Sequence, residues 1–516
     1  MFHDELLPHE SALCKVLDVG RPEAVARQHQ CGKRTARERV ATLVDTDTFR
    51  EIGALARPEE PGPDGRVIPA DAIVVGTADV DGRPTVVMAT DFTAAGGSNG
   101  LVGNEKQRRG WEIAGTRGIP VVMLIDGGGH RIQEGLDSRT FAAGFDIQDT
   151  LARLSGWVPL VAVIMGPGYG QPTLAASMCD YTIAVRGIAT AGMAPPSLVK
   201  AATGEDINVD ELYSAEAQAR FGTVDMVADD EEDALHAVRV YLATLPANSE
   251  APLPEESGLA PEPVASGRLD HVVPSDVKAA YDMHDIVDGL VDADTVVELK
   301  SHFAQNILTV LATIDGRPVG ILANQPAHKA GILDAPAAAK AARLVSLCNA
   351  FGIPILVLMD LPGLSVGREA EEGGLALQAA RLSIEFGRAT IPKITVLVRK
   401  GYGGGYVVMS GGRTFHPELV LAWPHAESGV MGVDAAVDLL YRREMASSAD
   451  RETYRADLLS SFAGRLGALR AGEGFGVDAI VRPSETRALV AATLRSTPRR
   501  RQMQTVTPRV HPVSPL

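Results

Sequence analysis

Two short glycine loops carry the chemistry that this chain can be expected to perform. One reads Gly168-Tyr169-Gly170-Gln171-Pro172 and the other Gly401-Tyr402-Gly403-Gly404-Gly405. Each follows a run of apolar residues and precedes an apolar stretch of helical spacing. A strand that runs through glycines into a helix start leaves backbone N–H groups without intrahelical partners, and the helix dipole favours negative charge there. Glycine removes the Cβ that would keep a ligand oxygen away. The chemistry open to such a loop is stabilisation of a developing oxyanion, which is worth about 2.7–4 kcal/mol per donor in a transition state. The blander role, close packing of strand against helix, suits either loop taken alone. Two loops at equivalent places favour a paired site.

The elements around the loops are duplicated. Asp81-Gly82-Arg83-Pro84 recurs as Asp315-Gly316-Arg317-Pro318, 234 positions later. Gly118 to Asp126 (GIPVVMLID) recurs as Gly352 to Asp360 (GIPILVLMD), again 234 positions later. The loops themselves are 233 positions apart. So long a period means two domains, not a solenoid. Residues 1–248 are expected to form the first domain, 249–275 a Pro-rich linker, 276–500 the second domain and 501–516 a tail. Strands are predicted at Val121–Ile125, Leu160–Met165, Ile355–Met359 and Ile394–Val398, with helices over Ser138–Leu154 and Gly374–Phe386. Apolar strands alternating with helices predict an α/β fold with parallel or mixed sheets.

Composition excludes several other functions. The net charge is −16, with 49 Lys and Arg against 65 Asp and Glu, so no basic surplus for nucleic acid exists. Cys14, Cys31, Cys179 and Cys348 are scattered and form no zinc or redox pair, and no metal is expected. The N-terminus lacks an apolar signal core, and no apolar run is long enough to span a bilayer. A cytoplasmic protein without membrane contact is expected. Gly96-Gly97-Ser98-Asn99-Gly100 fits a nucleophile-elbow pattern by spacing only, since no strand leads directly into the serine.

From about residue 32 to about 490 the chain resembles the carboxyltransferase (beta) subunits of biotin-dependent acyl-CoA carboxylases, of the propionyl- and acetyl-CoA type. The resemblance rests on Gly32-Lys33-Arg34-Thr35-Ala36-Arg37-Glu38-Arg39, Asp91-Phe92-Thr93, Arg131-Ile132-Gln133-Glu134-Gly135, Ala323-Asn324-Gln325-Pro326, Asp360-Leu361-Pro362-Gly363, Arg399 to Tyr406 and Ala422-Trp423-Pro424. It implies a tandem duplication of two crotonase-like (ClpP/crotonase) domains, assembled as a homohexamer. It implies transfer of a carboxyl group from carboxybiotin to the α-carbon of an acyl-CoA thioester. By position, Gly170 and Gln171 would hold the thioester oxygen, and Gly404 and Gly405 the biotin oxygen. Gly128, Gly129, His130 and Arg131 would line the acyl-CoA side, with Lys106 and Lys200 as cations for the CoA phosphates (Arg108 and Arg109 being further candidates). Tyr402, Gly403 and Gly404 would bind biotin, and Val407 would bear on acyl specificity.

The chain contains no Met-Lys-Met biotinylation motif and no ATP-binding loop, so the resemblance implies a separate biotin carboxylase and carrier partner. The departures from the family pattern fall mainly on the acyl-CoA side. Pro172 stands in the first loop, and Gly127-Gly128-Gly129-His130 replaces the usual Ser-Gly-Gly-Ala. Val407 replaces an acid of propionyl-type enzymes, which points to a different acyl chain. The alternatives are a decarboxylase or transcarboxylase subunit, an enzyme acting on a carrier-bound acyl group, and a scaffold that has lost acyl binding.

Overall fold

The computed structural model describes residues 2–62, 65–138, 147–255, 266–276, 279–462 and 464–500. The chain divides into two compact units, Met1–Pro252 and Leu253–Leu516.

In the first unit, seven strands form one sheet in chain order: β1 (Arg50–Glu51), β2 (Ile73–Val80), β3 (Arg83–Thr90), β4 (Val121–Ile125), β5 (Leu160–Ile164), β6 (Tyr181–Val185) and β7 (Met226–Ala228). The first three strands are antiparallel and the rest pair in parallel. The second unit repeats this order with β8 (Val297–Glu298), β9 (Ile307–Ile314), β10 (Arg317–Asn324), β11 (Ile355–Leu361), β12 (Lys393–Tyr402), β13 (Leu419–Ala422) and β14 (Ala479–Ile480). Its first three strands are likewise antiparallel and the others parallel. The central parallel strands are buried on both faces, which is why they read as unbroken apolar runs.

The repeated Asp-Gly pairs make the hairpin turns. Asp81 and Gly82 take φ of 50° and 72°, and Asp315 and Gly316 take 56° and 71°, as a tight two-residue hairpin requires. A buried or half-buried carboxylate caps each turn. Asp45 accepts from the Gly82 N–H at 2.7 Å, and Asp292 accepts from the Gly316 N–H at 2.8 Å.

Each unit has its own apolar core. Trp111, Leu151 and Ile164 are buried in the first, and Leu290, Val396 and Trp423 in the second. The long helices α1 (Leu101–Arg117) and α2 (Ala335–Phe351) occupy equivalent places. They end at Gly118 and Gly352, both left-handed, which satisfies the helix C-terminus without a Cβ clash.

Of the helix predicted over Ser138–Leu154, the segment Ile147–Leu154 is helical and residues 139–146 lie outside the described residues. The helix predicted over Gly374–Phe386 is observed as Leu375–Arg388. The described ends of segment 249–275 are packed: the Ser249 N–H bonds to Trp157 O, and Leu269 is buried in the second core.

Candidate active site

In the first unit, β5 continues into Pro167–Tyr169, which pairs with Thr190–Gly192. Gly170 then turns with φ 73° and ψ −121°, a conformation closed to other L-residues, and the helix Gln171–Ser177 begins. The Gly170 N–H donates to Gly192 O at 2.8 Å. Gly170 therefore serves as the turn and not as an oxyanion donor, which corrects the expectation from its position. Pro172 has no N–H. The Gln171 N–H, at the first helical position, has no acceptor among the described residues. Thr173 locks the loop from behind, its hydroxyl donating to Gly168 O and accepting from the Gly192 N–H.

The turn after β4 meets this loop. The Gly127 N–H donates to Pro167 O at 2.7 Å, and a Cβ on Gly129 would lie 3.2 Å from Pro172 Cδ. Gly127, Gly129, Gln171 and Pro172 border one narrow cavity whose other walls include Met88, Trp111 and Met123. A Cβ on Gly128 would meet nothing within 4 Å, so that side of the turn is open.

The second unit builds the same device from β12, which ends at Tyr402 and is followed by the helix Gly403–Val408. Gly403 has φ 61°, as Gly170 does in its own loop. The N–H groups of Gly404 and Gly405 have no acceptor among the described residues. A Cβ on Gly405 would overlap Leu361 Cδ1, so packing demands glycine there. Gly404 meets only Leu364 Cδ1 at 3.1 Å, so its glycine leaves the N–H approachable. Tyr402 anchors the loop: its hydroxyl donates to Glu427 Oε2 at 2.5 Å, and burial together with that bond pushes the phenol up. Val407 is 47% exposed on the same short helix.

Behind each loop stands a buried aspartate at the same place in the repeat. Asp126 accepts from Lys33 Nζ at 2.6 Å, Arg39 at 2.7 Å and Gln28 at 3.1 Å. Arg39 also binds Glu231 and Met165 O. Asp360 accepts from the Tyr281 hydroxyl at 2.8 Å, Arg399 Nε at 2.9 Å and the Lys400 N–H at 3.1 Å. Burial pushes the Asp360 carboxyl up, opposed by Arg399. These networks explain why Gly32–Arg39 and Arg399-Lys400 form recognisable motifs: they fix the strand ends from which the loops spring.

The cations assigned to CoA phosphates are otherwise engaged. Lys106 is buried, its Nζ donating to Ala70 O at 2.9 Å and to Ile73 O, and burial lowers its pKa to about 8. Its counterpart 234 positions on, Lys340, binds Phe303 O and Ile307 O in the same way. Lys106 is thus a repeated structural tie and not a phosphate ligand. Arg131 is buried against Asp71 and Glu134 and donates to Ser98 O, so it braces the glycine turn from within. Lys200 is exposed and pairs with Asp206 at 2.6 Å. Arg108 pairs with Glu105 and Glu112, and Arg109 with Glu112. His130 is half-buried, and desolvation lowers its imidazole pKa.

Residues 27–512 match the carboxyl transferase domain family. The chain is 38% identical over 488 residues to the biotin-dependent acetyl-/propionyl-coenzyme A carboxylase beta5 subunit of Mycobacterium tuberculosis, covering 92% of this chain and 88% of that one. It is 36% identical to the methylmalonyl-CoA carboxyltransferase 12S subunit of Propionibacterium freudenreichii subsp. shermanii, over 95% of this chain and 93% of that one. The crystal structure of a transcarboxylase 12S hexamer with methylmalonyl-coenzyme A bound superposes with a TM-score of 0.88 at 35% identity, covering 96% of this chain and 94% of the other. No helix among the described residues is long and apolar enough to cross a membrane. The chain belongs to the carboxyl transferase domain family and is a carboxyltransferase of the biotin-dependent acyl-CoA type.

Proposed function

We propose that this chain transfers a carboxyl group to the α-carbon of an acyl-CoA thioester through two backbone amide sites, one in each crotonase-like unit. The observation that carries this reading is the repeated strand–loop–helix, which leaves the Gln171 N–H in one unit and the Gly404 and Gly405 N–H groups in the other without protein acceptors among the described residues. The Gln171 N–H stabilises the thioester oxygen as it gains charge on loss of the α-proton. The Gly404 and Gly405 amides hold the ureido oxygen, and Tyr402 and Gly403 set their direction. Carboxybiotin, brought by a separate carrier protein, would supply the carboxyl group and a nitrogen base. The second loop fits that group, because Gly404 presents an N–H with no side chain over it. Val407 borders the acyl chain. The active form is a cytoplasmic homohexamer that works with a biotin carboxylase–carrier subunit.

Likeness to a methylmalonyl-CoA carboxyltransferase favours a second reading, in which the carboxyl group is taken from one acyl-CoA and passed to the carrier. The purified chain, a biotin carboxylase–carrier subunit, labelled bicarbonate and a panel of acyl-CoAs decide the first reading: label is expected in at least one acyl-CoA. Label in none of them would sink it, and label leaving methylmalonyl-CoA for the carrier would establish the second.

A further inference from the structure

We propose that an arginine-lined cavity of the first unit binds the phosphate-bearing nucleotide end of the CoA thioester; this rests on the acyl-CoA reading above. The cavity measures about 730 Å³, within the roughly 300–1,000 Å³ range of small-molecule sites. Arg21, Arg27, Arg66 and Arg131 line it, with Thr93 and Ser98, and Glu23 is the carboxylate among its lining residues. In a chain of net charge −16 this is a local reversal of sign, and a polyanion needs one to approach.

The four arginines have different work. Arg21 is held by Asp18 at 3.2 Å and Asp91 at 2.9 Å, and Arg131 by Asp71 at 2.6 Å, so these two shape the wall with their charge already balanced. Arg27 and Arg66 are exposed, and Arg27 has no ion pair among the described residues. Guanidinium forks suit phosphate oxygens better than ammonium groups do.

The cavity also lies where such a ligand must extend. Ser98 lines it, and Ser98–Asn99 pairs with Gly129–His130. Asn99 and Gly129 line the narrow cavity at Gln171. One two-residue ribbon thus separates the thioester loop from the arginines. Sequence alone does not reveal this cluster, because Arg66 is far from Arg21 and Arg27 along the chain.

The test compares full-length wild type with Arg27→Gln, Arg66→Gln and the double variant. Two readouts are taken: CoA binding by calorimetry, and transfer to one acyl group carried either on CoA or on N-acetylcysteamine, which has no phosphate. The double variant is expected to bind CoA about tenfold or more weaker, the loss of one charge-assisted hydrogen bond or more. The ratio of kcat/KM for the CoA thioester to that for the N-acetylcysteamine thioester should fall by a similar factor, and Arg27→Lys should lose less than Arg27→Gln. Unchanged CoA affinity overturns the assignment, as does an equal fall on both thioesters. Failure of the wild type to transfer to any thioester would instead overturn the catalytic reading, while the calorimetry still judges the arginines.

Discussion

The N–H of Gly170 donates to the carbonyl of Gly192 at 2.8 Å, and this bond makes the two loops unequal. It occupies the amide that position alone would assign to catalysis. With Pro172 lacking an N–H, the first loop narrows to the Gln171 amide, whereas the second keeps the amides of Gly404 and Gly405.

Replacing Gly404 by Val is expected to abolish carboxyl transfer, because the side chain covers the amide and presses on Leu364, 3.1 Å from the new Cβ. Assembly and thermal stability should change little. Retention of wild-type transfer, measured with labelled carboxybiotin carrier, would show that the second loop is only a packing device.

Arg39→Leu should destabilise the first unit by about 3–5 kcal/mol, since it leaves Asp126 and Glu231 short of a buried partner. Denaturant melts of the variant against the wild type check this. A loss below about 1 kcal/mol would mean that Lys33 alone satisfies Asp126.

Lys106→Met and Lys340→Met should each cost about 1–3 kcal/mol by orphaning two backbone carbonyls. The CoA affinity of the Lys106 variant should stay within about threefold of wild type, a factor worth well under 1 kcal/mol. A large loss of CoA affinity with unaltered stability would return Lys106 to the phosphate site.

His284 provides a pH dependence in the second unit. Its hydrogen bond to Glu298, aided by Asp282, raises its pKa from 6.5 to about 9. The folded pKa lies above the unfolded one, so the stabilisation is fully present below pH 6.5 and is lost as pH rises through about 9. The ring is half-exposed, so salt should weaken the effect. His284→Gln should flatten the fall of Tm between pH 6.5 and 9.5; an identical slope in both proteins would rule the histidine out.

Much of this fold can be read from residue order. The strands Val121–Ile125 and Ile355–Leu361 follow from apolar runs buried on both faces, and the paired Asp-Gly turns mark both hairpins. The loops were legible for the same reason: glycine after a strand admits few alternatives. Hydrogen-bond partners set by tertiary contact were not legible. Nothing near Gly170 in sequence reveals that Gly192 takes its N–H. Lys106 looks like a surface helix lysine until Ala70, Asp71 and Ala72, with φ of 51°, 51° and 59°, turn carbonyls toward it.

The most direct measurement of the central claim is carboxyl transfer to acyl-CoA by Gln171→Ala and Gln171→Pro side by side. Proline is tolerated at a first helical position and removes one N–H, whereas alanine removes only the side chain. The account predicts that the alanine protein outpaces the proline protein by at least about a hundredfold in kcat, the effect of one oxyanion donor, with both melting near the wild type. Equal rates in the two variants would contradict it.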